Sequence, residues 1–122
     1  MNIYTSYFTR AALLKDDSKV YISIANSTPT WFQLYHMTAK ELAPLWAHIN
    51  ELKSGKVGFN VFAENYKSTL EERFGDFSNI VKYIEDMVGD RDVVLLCWEK
   101  EFRRCHRSIV ADVIGDAYAG EL

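Results

Sequence analysis

Five consecutive apolar residues, Val93-Val94-Leu95-Leu96-Cys97, follow the turn signal Gly89-Asp90. A strand with one face in water alternates apolar and polar residues, and this run does not. It reads as a strand covered on both faces, central in its sheet and parallel to its neighbours. Two further strands precede it. Ile3-Tyr4-Thr5-Ser6-Tyr7-Phe8 is rich in aromatic and β-branched residues, which suit a pleated surface. In Val20-Tyr21-Ile22-Ser23-Ile24 the residues Val20, Ile22 and Ile24 recur at period two, giving a strand with unequal faces. Lys15-Asp16-Asp17-Ser18 breaks the chain between them, and Ala25-Asn26-Ser27-Thr28-Pro29 is a loop by composition.

Helical spacing dominates the rest. Thr38-Ala39-Lys40-Glu41 has the form of a capping box, with Leu42, Trp46, Ile49 and Leu52 on one face behind it. Pro44 interrupts that segment and is read as its first helical residue after a short turn. Phe59, Phe62, Tyr66 and Leu70 predict a helix through about Arg73. Asp76 or Ser78 can cap another, with Ile80, Val81, Ile84, Met87 and Val88 on one stripe. Ile109, Val110, Val113, Ile114 and Ala117 predict a last helix from about Cys105 to Tyr118. Strand, strand, three helical segments, strand, helix implies an α/β fold. Its expected form is one domain over residues 1–122, with a small, mainly parallel sheet and helices on both faces in three layers.

Composition narrows the setting. Fourteen Lys and Arg against 17 Asp and Glu give a net charge of −3, which argues against a generally basic nucleic-acid coat. No apolar run approaches the ~18 residues of a membrane span. The N-terminus lacks the apolar core of a signal peptide. The expected location is the cytoplasm, with no membrane partner and both cysteines as thiols.

In open α/β sheets, sites form beyond the carboxyl ends of the strands. Those ends are Ser6 to Arg10, Ala25 to Pro29 and Cys97 to Lys100. The segment Cys97-Trp98-Glu99-Lys100-Glu101-Phe102-Arg103-Arg104-Cys105-His106-Arg107 concentrates two thiols, an imidazole, carboxylates and cations at one strand–loop–helix junction. At about 100° per residue, the apolar stripe of the last helix centres near His106, with Cys105 and Arg107 at its margins. His106 is therefore expected to face the sheet, near Cys97 and Glu99.

Leu95-Leu96-Cys97-Trp98-Glu99 followed by Cys105-His106-Arg107-Ser108 resembles the C-terminal signature of the domain of unknown function 488 family, a Cys-x-Glu strand end and a Cys-His-Arg helix start. Tyr4-Thr5-Ser6-Tyr7-Phe8 and Ile22-Ser23-Ile24-Ala25, with Pro29, Trp31 and Phe32 after them, resemble the opening of one branch of that family. Many members carry Gly-His-Ser after the first strand and Asp-Val-Arg on the second. This chain has Ser6-Tyr7-Phe8 and Ala25-Asn26-Ser27 in those regions. The resemblance implies an α/β fold and brings no settled reaction with it.

The residues support an enzyme acting on a small anionic or nucleotide-like substrate. Cys97 is the candidate nucleophile or orienting thiol, His106 the acid/base and Glu99 its partner. Arg107 is the candidate anion anchor and Asn26 a polar wall. Cys105, Ser6 and Arg10 complete the binding set. No cofactor is expected, although Cys97, Cys105 and His106 are of types that hold zinc. A Cys97–Cys105 disulfide needs Cα atoms within about 7 Å. Cys97 to Arg103 fits the Cys-x5-Arg spacing of cysteine phosphatases, but that loop lacks glycine and carries Glu99 and Glu101, which repel phosphate. The alternative function is a non-catalytic module binding a nucleotide, nucleic acid or protein. It would use the basic helix start (Arg103, Arg104, Arg107) and the aromatic group Trp31, Phe32, Tyr35 and His36.

Overall fold

Strand β4 (Val93–Cys97) lies at the centre of the sheet and is buried along its whole length. The computed structural model describes all residues 1–122. It adds β1 (Ile3–Tyr7), β2 (Val20–Ser23), β3 (Met37–Thr38) and β5 (Tyr118–Glu121), in the spatial order β3-β2-β4-β1-β5. Every pairing is parallel. On one side of β4, Ile3 pairs with Val93 and Tyr7 with Cys97; on the other, Val20 pairs with Val93 and Ser23 with Leu96.

The helices are α1 (Phe8–Leu14), α2 (Trp46–Lys53), α3 (Phe59–Phe74), α4 (Ser78–Val88) and α5 (His106–Ile114). They form two outer layers. Val93 and Leu95 pack with Ile22 and Ile24 under Phe62, Tyr66 and Leu70 of α3, Ile80 and Ile84 of α4, and Ile109, Val110 and Ile114 of α5. Val94 and Leu96 face the other way, with Tyr21 and Ala25, under Phe8 and Ala11 of α1 and under Phe32. Alternate residues of β4 thus meet two apolar layers, which is why its sequence does not alternate. No helix is long and apolar enough to cross a membrane.

Four local departures from the sequence reading have physical causes. The first strand stops at Tyr7, and Phe8 opens α1 instead of ending β1. Phe8 and Ala11, three apart, share the buried face of that helix. Lys15, in the left-handed region at φ 49°, closes it. The capping box at Thr38 does not form, because Thr38 is spent in β3 beside Ser23. Only a single 3-10 turn, Lys40–Leu42, follows it. Pro44 stands outside α2, which begins at Trp46. Finally, α5 ends at Ile114; Gly115, at φ 57°, lets the chain turn through a short 3-10 segment into β5 beside β1. Tyr118-Ala119-Gly120-Glu121 has neither an apolar run nor a clean alternation to announce that strand. At the start of α4, Asp76 Oδ1 accepts the Ser78 amide at 2.8 Å, as its position suggested.

Tyr66 ties the α3 layer to the connection after β3. Its ring is fully buried, and its hydroxyl donates to the Leu42 carbonyl. Burial raises the hydroxyl's pKa well above the usual phenol range, so the group stays a donor. Tyr66→Phe leaves that carbonyl without its partner. The expected loss is about 1–2 kcal/mol, read as a lower urea midpoint at unchanged slope. An unchanged midpoint would show that water replaces the bond.

Candidate functional site

From β2 the chain moves outward to β3, whereas from β4 it passes β1 to reach β5 on the opposite side. The loops after β2 and β4 therefore diverge and leave a crevice between two adjacent strand ends, the place where open α/β sheets hold ligands. A pocket of about 370 Å³ lies there, within the size range of small-molecule sites. Phe62 of α3 and Ile49 and Leu52 of α2 supply apolar lining, and Trp46 and Trp98 line it as half-exposed indoles. Asn26, Glu99, His106, Lys53 and Arg104 supply polar groups, and Cys105 is the cysteine among the lining residues.

Three hydrogen bonds fix these walls. Trp98 Nε1 donates to the Ser27 carbonyl at 2.7 Å, joining the two diverging loops. Asn26 Nδ2 donates to the Pro44 carbonyl and holds the β2 loop against the approach to α2. His106 Nε2 donates to the Ile24 carbonyl at 2.7 Å, pinning the first turn of α5 to the end of β2. The last contact places His106 toward the sheet, as the helical wheel suggested.

That bond also defines the chemistry of the ring. A carbonyl only accepts, so Nε2 carries the proton in the neutral ring and Nδ1 keeps a lone pair. Burial lowers the His106 pKa to about 4, and the nearby Arg107 guanidinium adds to the effect against the opposing pull of the Ile24 carbonyl. The imidazole is neutral at pH 7. Nδ1 lies 3.9 Å from Cys105 Sγ, an unprotonated nitrogen beside the sulfur.

The two cysteines form a disulfide, with Cα atoms 7.2 Å apart. This departs from the expectation of two free thiols. Cys97 and Cys105 are both buried, but only Cys105 lines the pocket. Cys97 Sγ accepts from Arg107 Nη1 at 3.6 Å. The two sulfurs and a nitrogen of His106 lie within 4.8 Å of one another. That spacing suits a metal, but a disulfide offers no thiolate to bind one.

Arg107 is fully buried. Its Nε donates to both Glu121 carboxylate oxygens at 3.0 and 3.2 Å, Nη2 lies 2.9 Å from Glu121 Oε1 as an ion pair, and Nη1 and Nη2 donate to the carbonyls of Glu99 and Lys100. The rings of Tyr7 and Phe102 lie 5.7 and 5.8 Å from the guanidinium carbon. Its donors are committed inside the fold, and it does not line the pocket. The internal partner is the Glu121 carboxylate together with the Glu99 main chain. Glu121 in turn accepts from Thr5 Oγ1, which also bonds the Tyr118 hydroxyl at 2.7 Å. Glu121 carried no sequence signal because β5 carried none.

Other residues singled out in the sequence lie apart from the pocket lining. Ser6 is buried in β1 and donates to the Leu122 carbonyl at 3.4 Å. Arg10 is exposed on α1. Phe32 packs edge-on to Phe8 at 5.1 Å as part of the α1 layer. The pocket brings together Asn26, Glu99, Cys105 and His106 from the sequence set. It also takes Arg104 from the basic helix start of the alternative reading, and adds Trp98, Lys53 and Trp46, the last read from the sequence as a helix-face residue. The available signal was the indole at the middle of the Cys-x-Glu element and the arginine before the Cys-His-Arg helix start.

No curated protein and no solved structure matches this chain. The family model described as Domain of unknown function DUF488 matches residues 25–114. The match begins at Ala25, after β2, and runs through α5; it contains both the β2 loop and the Cys97–Arg107 junction that wall the pocket. The chain therefore belongs to the DUF488 family.

Proposed function

We propose that the protein binds and acts on a small anionic, nucleotide-like ligand in the crevice between the ends of β2 and β4. The carrying observation is the composition of that crevice: two half-exposed indoles, an apolar floor and two cations, Lys53 and Arg104. Indole faces favour a flat ring. Arginine suits bidentate contact with phosphate or carboxylate. Glu99 and Asn26 add groups that recognise hydroxyls or amines. Action on the ligand falls to Glu99, Cys105 and His106, the assigned chemical groups that reach the pocket. A module that binds without turnover uses the same crevice. The observation favouring that second reading is that His106 Nε2 is bonded to Ile24 and both sulfurs are paired.

Calorimetric titration with adenosine monophosphate and adenosine separates the body of the ligand from its charge. The monophosphate is expected to bind about five- to tenfold more tightly, equivalent to about 1–1.4 kcal/mol. Arg104→Gln is expected to remove most of that difference, and Trp46→Ala to weaken both compounds. Equal affinities, or no binding of either, would contradict the reading.

A further inference from the structure

We propose that the protein oxidises small anionic thiols by thiol–disulfide exchange, with Cys105 as the attacked sulfur and Cys97 as the leaving group. This rests on the pocket reading above and names a class of compound that reacts there. Three observations carry it. Cys97 and Cys105 are disulfide-bonded. Of the two sulfurs, Cys105 belongs to the residue that lines the pocket. Cys97, buried away from it, accepts a hydrogen bond from the fully buried Arg107 guanidinium.

These features make the disulfide chemically unequal at its two ends. Exchange proceeds by attack of a thiolate on one sulfur, and a stabilised departing thiolate leaves faster. In this scheme the incoming thiolate reaches Cys105 from the pocket whose wall that residue helps form. Its electron pair forms the new S–S bond to Cys105 Sγ. The Cys97–Cys105 bond breaks, and its pair leaves on Cys97 Sγ, where the Arg107 cation stabilises the new anion. A second thiolate then attacks the sulfur of the bound thiol. It releases the external disulfide and leaves Cys105 as a thiolate. Two external thiolates lose two electrons, and the protein disulfide gains them.

The charge of the preferred compound follows from the pocket rim. Lys53 and Arg104 attract an acidic group, while Glu99 holds only one opposing charge. A thiol carrying a carboxylate, sulfonate or phosphate is therefore favoured over a neutral or cationic one.

The test uses the full-length protein purified without reductant. It is mixed with 2-mercaptoethanesulfonate, 2-mercaptoethanol or cysteamine, then quenched with an alkylating agent. Cleavage after Glu99 and Glu101 places the two cysteines in separate peptides for mass spectrometry. The expected product carries the external thiol on Cys105 and the alkyl group on Cys97. Per unit of thiolate, the sulfonate is expected to react about fivefold faster than 2-mercaptoethanol, and cysteamine more slowly. Arg104→Gln brings the sulfonate and neutral rates together.

Adducts on Cys97, equal rates for the three thiols, or both cysteines alkylated before any thiol is added would each overturn the proposal. Ethanesulfonate, which cannot react, separates the two levels of the account. If it competes with the monophosphate but 2-mercaptoethanesulfonate forms no adduct, the pocket stands and the exchange falls. If there is neither competition nor adduct, both fall.

Discussion

Arg107→Met is expected to destabilise the protein by about 3–5 kcal/mol, the range for removing one partner from a buried ion pair. The side chain fills the space but leaves the Glu121 carboxylate and the carbonyls of Glu99 and Lys100 without their donors. Arg107→Lys restores the charge but not the planar fork that meets a carboxylate and two carbonyls together, so it recovers only part of the loss. Glu121→Gln costs less, because Glu121 is 30% exposed and water solvates what remains. The loss concentrates where the network ends: amide exchange in β5 and in the Glu99–Lys100 turn is expected to accelerate before that of β4. Urea denaturation of the three variants checks the order. A cost below about 1 kcal/mol for Arg107→Met, the scale of an exposed pair, would show that the guanidinium is replaceable by solvent.

Stability is expected to fall by roughly 3 kcal/mol between pH 6.5 and pH 4 through His106 alone. Burial depresses its folded-state pKa from 6.5 to about 4. In that window the unfolded chain binds a proton that the folded chain refuses, so lowering the pH favours unfolding. The contribution is fully present above pH 6.5, is lost progressively down to pH 4, and is flat below. Each pH unit corresponds to about 1.36 kcal/mol. His106→Gln keeps an amide donor for the Ile24 carbonyl and does not titrate. The stability difference between wild type and variant should therefore shrink by that same amount from pH 7 to pH 4. Parallel stability curves for the two proteins would mean that His106 takes up its proton equally in the folded and unfolded chains.

The legibility of this chain follows the strength of its local patterns. Val93–Cys97 announced a doubly covered central strand because both of its faces meet apolar layers. The Phe59 and Ser78 helices were visible from stripes several turns long. The stretch from Thr38 to Trp46 was not, because Thr38 serves a two-residue strand rather than a cap, and sheet pairing overrode the capping pattern. β5 was invisible because its pairing to β1 and the Thr5–Glu121–Arg107 network stabilise it, and no alternation of its own does.

At the site, the helical wheel placed His106 inward but set Arg107 at a margin, where the structure buries it completely. A wheel describes one helix packing on one layer. It does not include a fifth strand that closes over the side of α5. Likewise, Trp46 and Trp98 lie 52 residues apart in sequence and share one pocket only because the loops after β2 and β4 diverge.

The central claim is that ligands bind in this crevice between β2 and β4, and the three tryptophans provide a direct measurement of it. Their indole N–H signals can be followed in a proton–nitrogen correlation spectrum during titration with adenosine monophosphate. Trp46 and Trp98 line the pocket, and the Trp98 N–H bonds across its two walls, whereas Trp31 does not line it. The account predicts saturable shifts of the Trp46 and Trp98 signals, accompanied by Ala25–Ser27 and Cys105–His106 amides, with the Trp31 signal unmoved. Shifts confined to Trp31 and its neighbours, or no shift at any of the three, would contradict it.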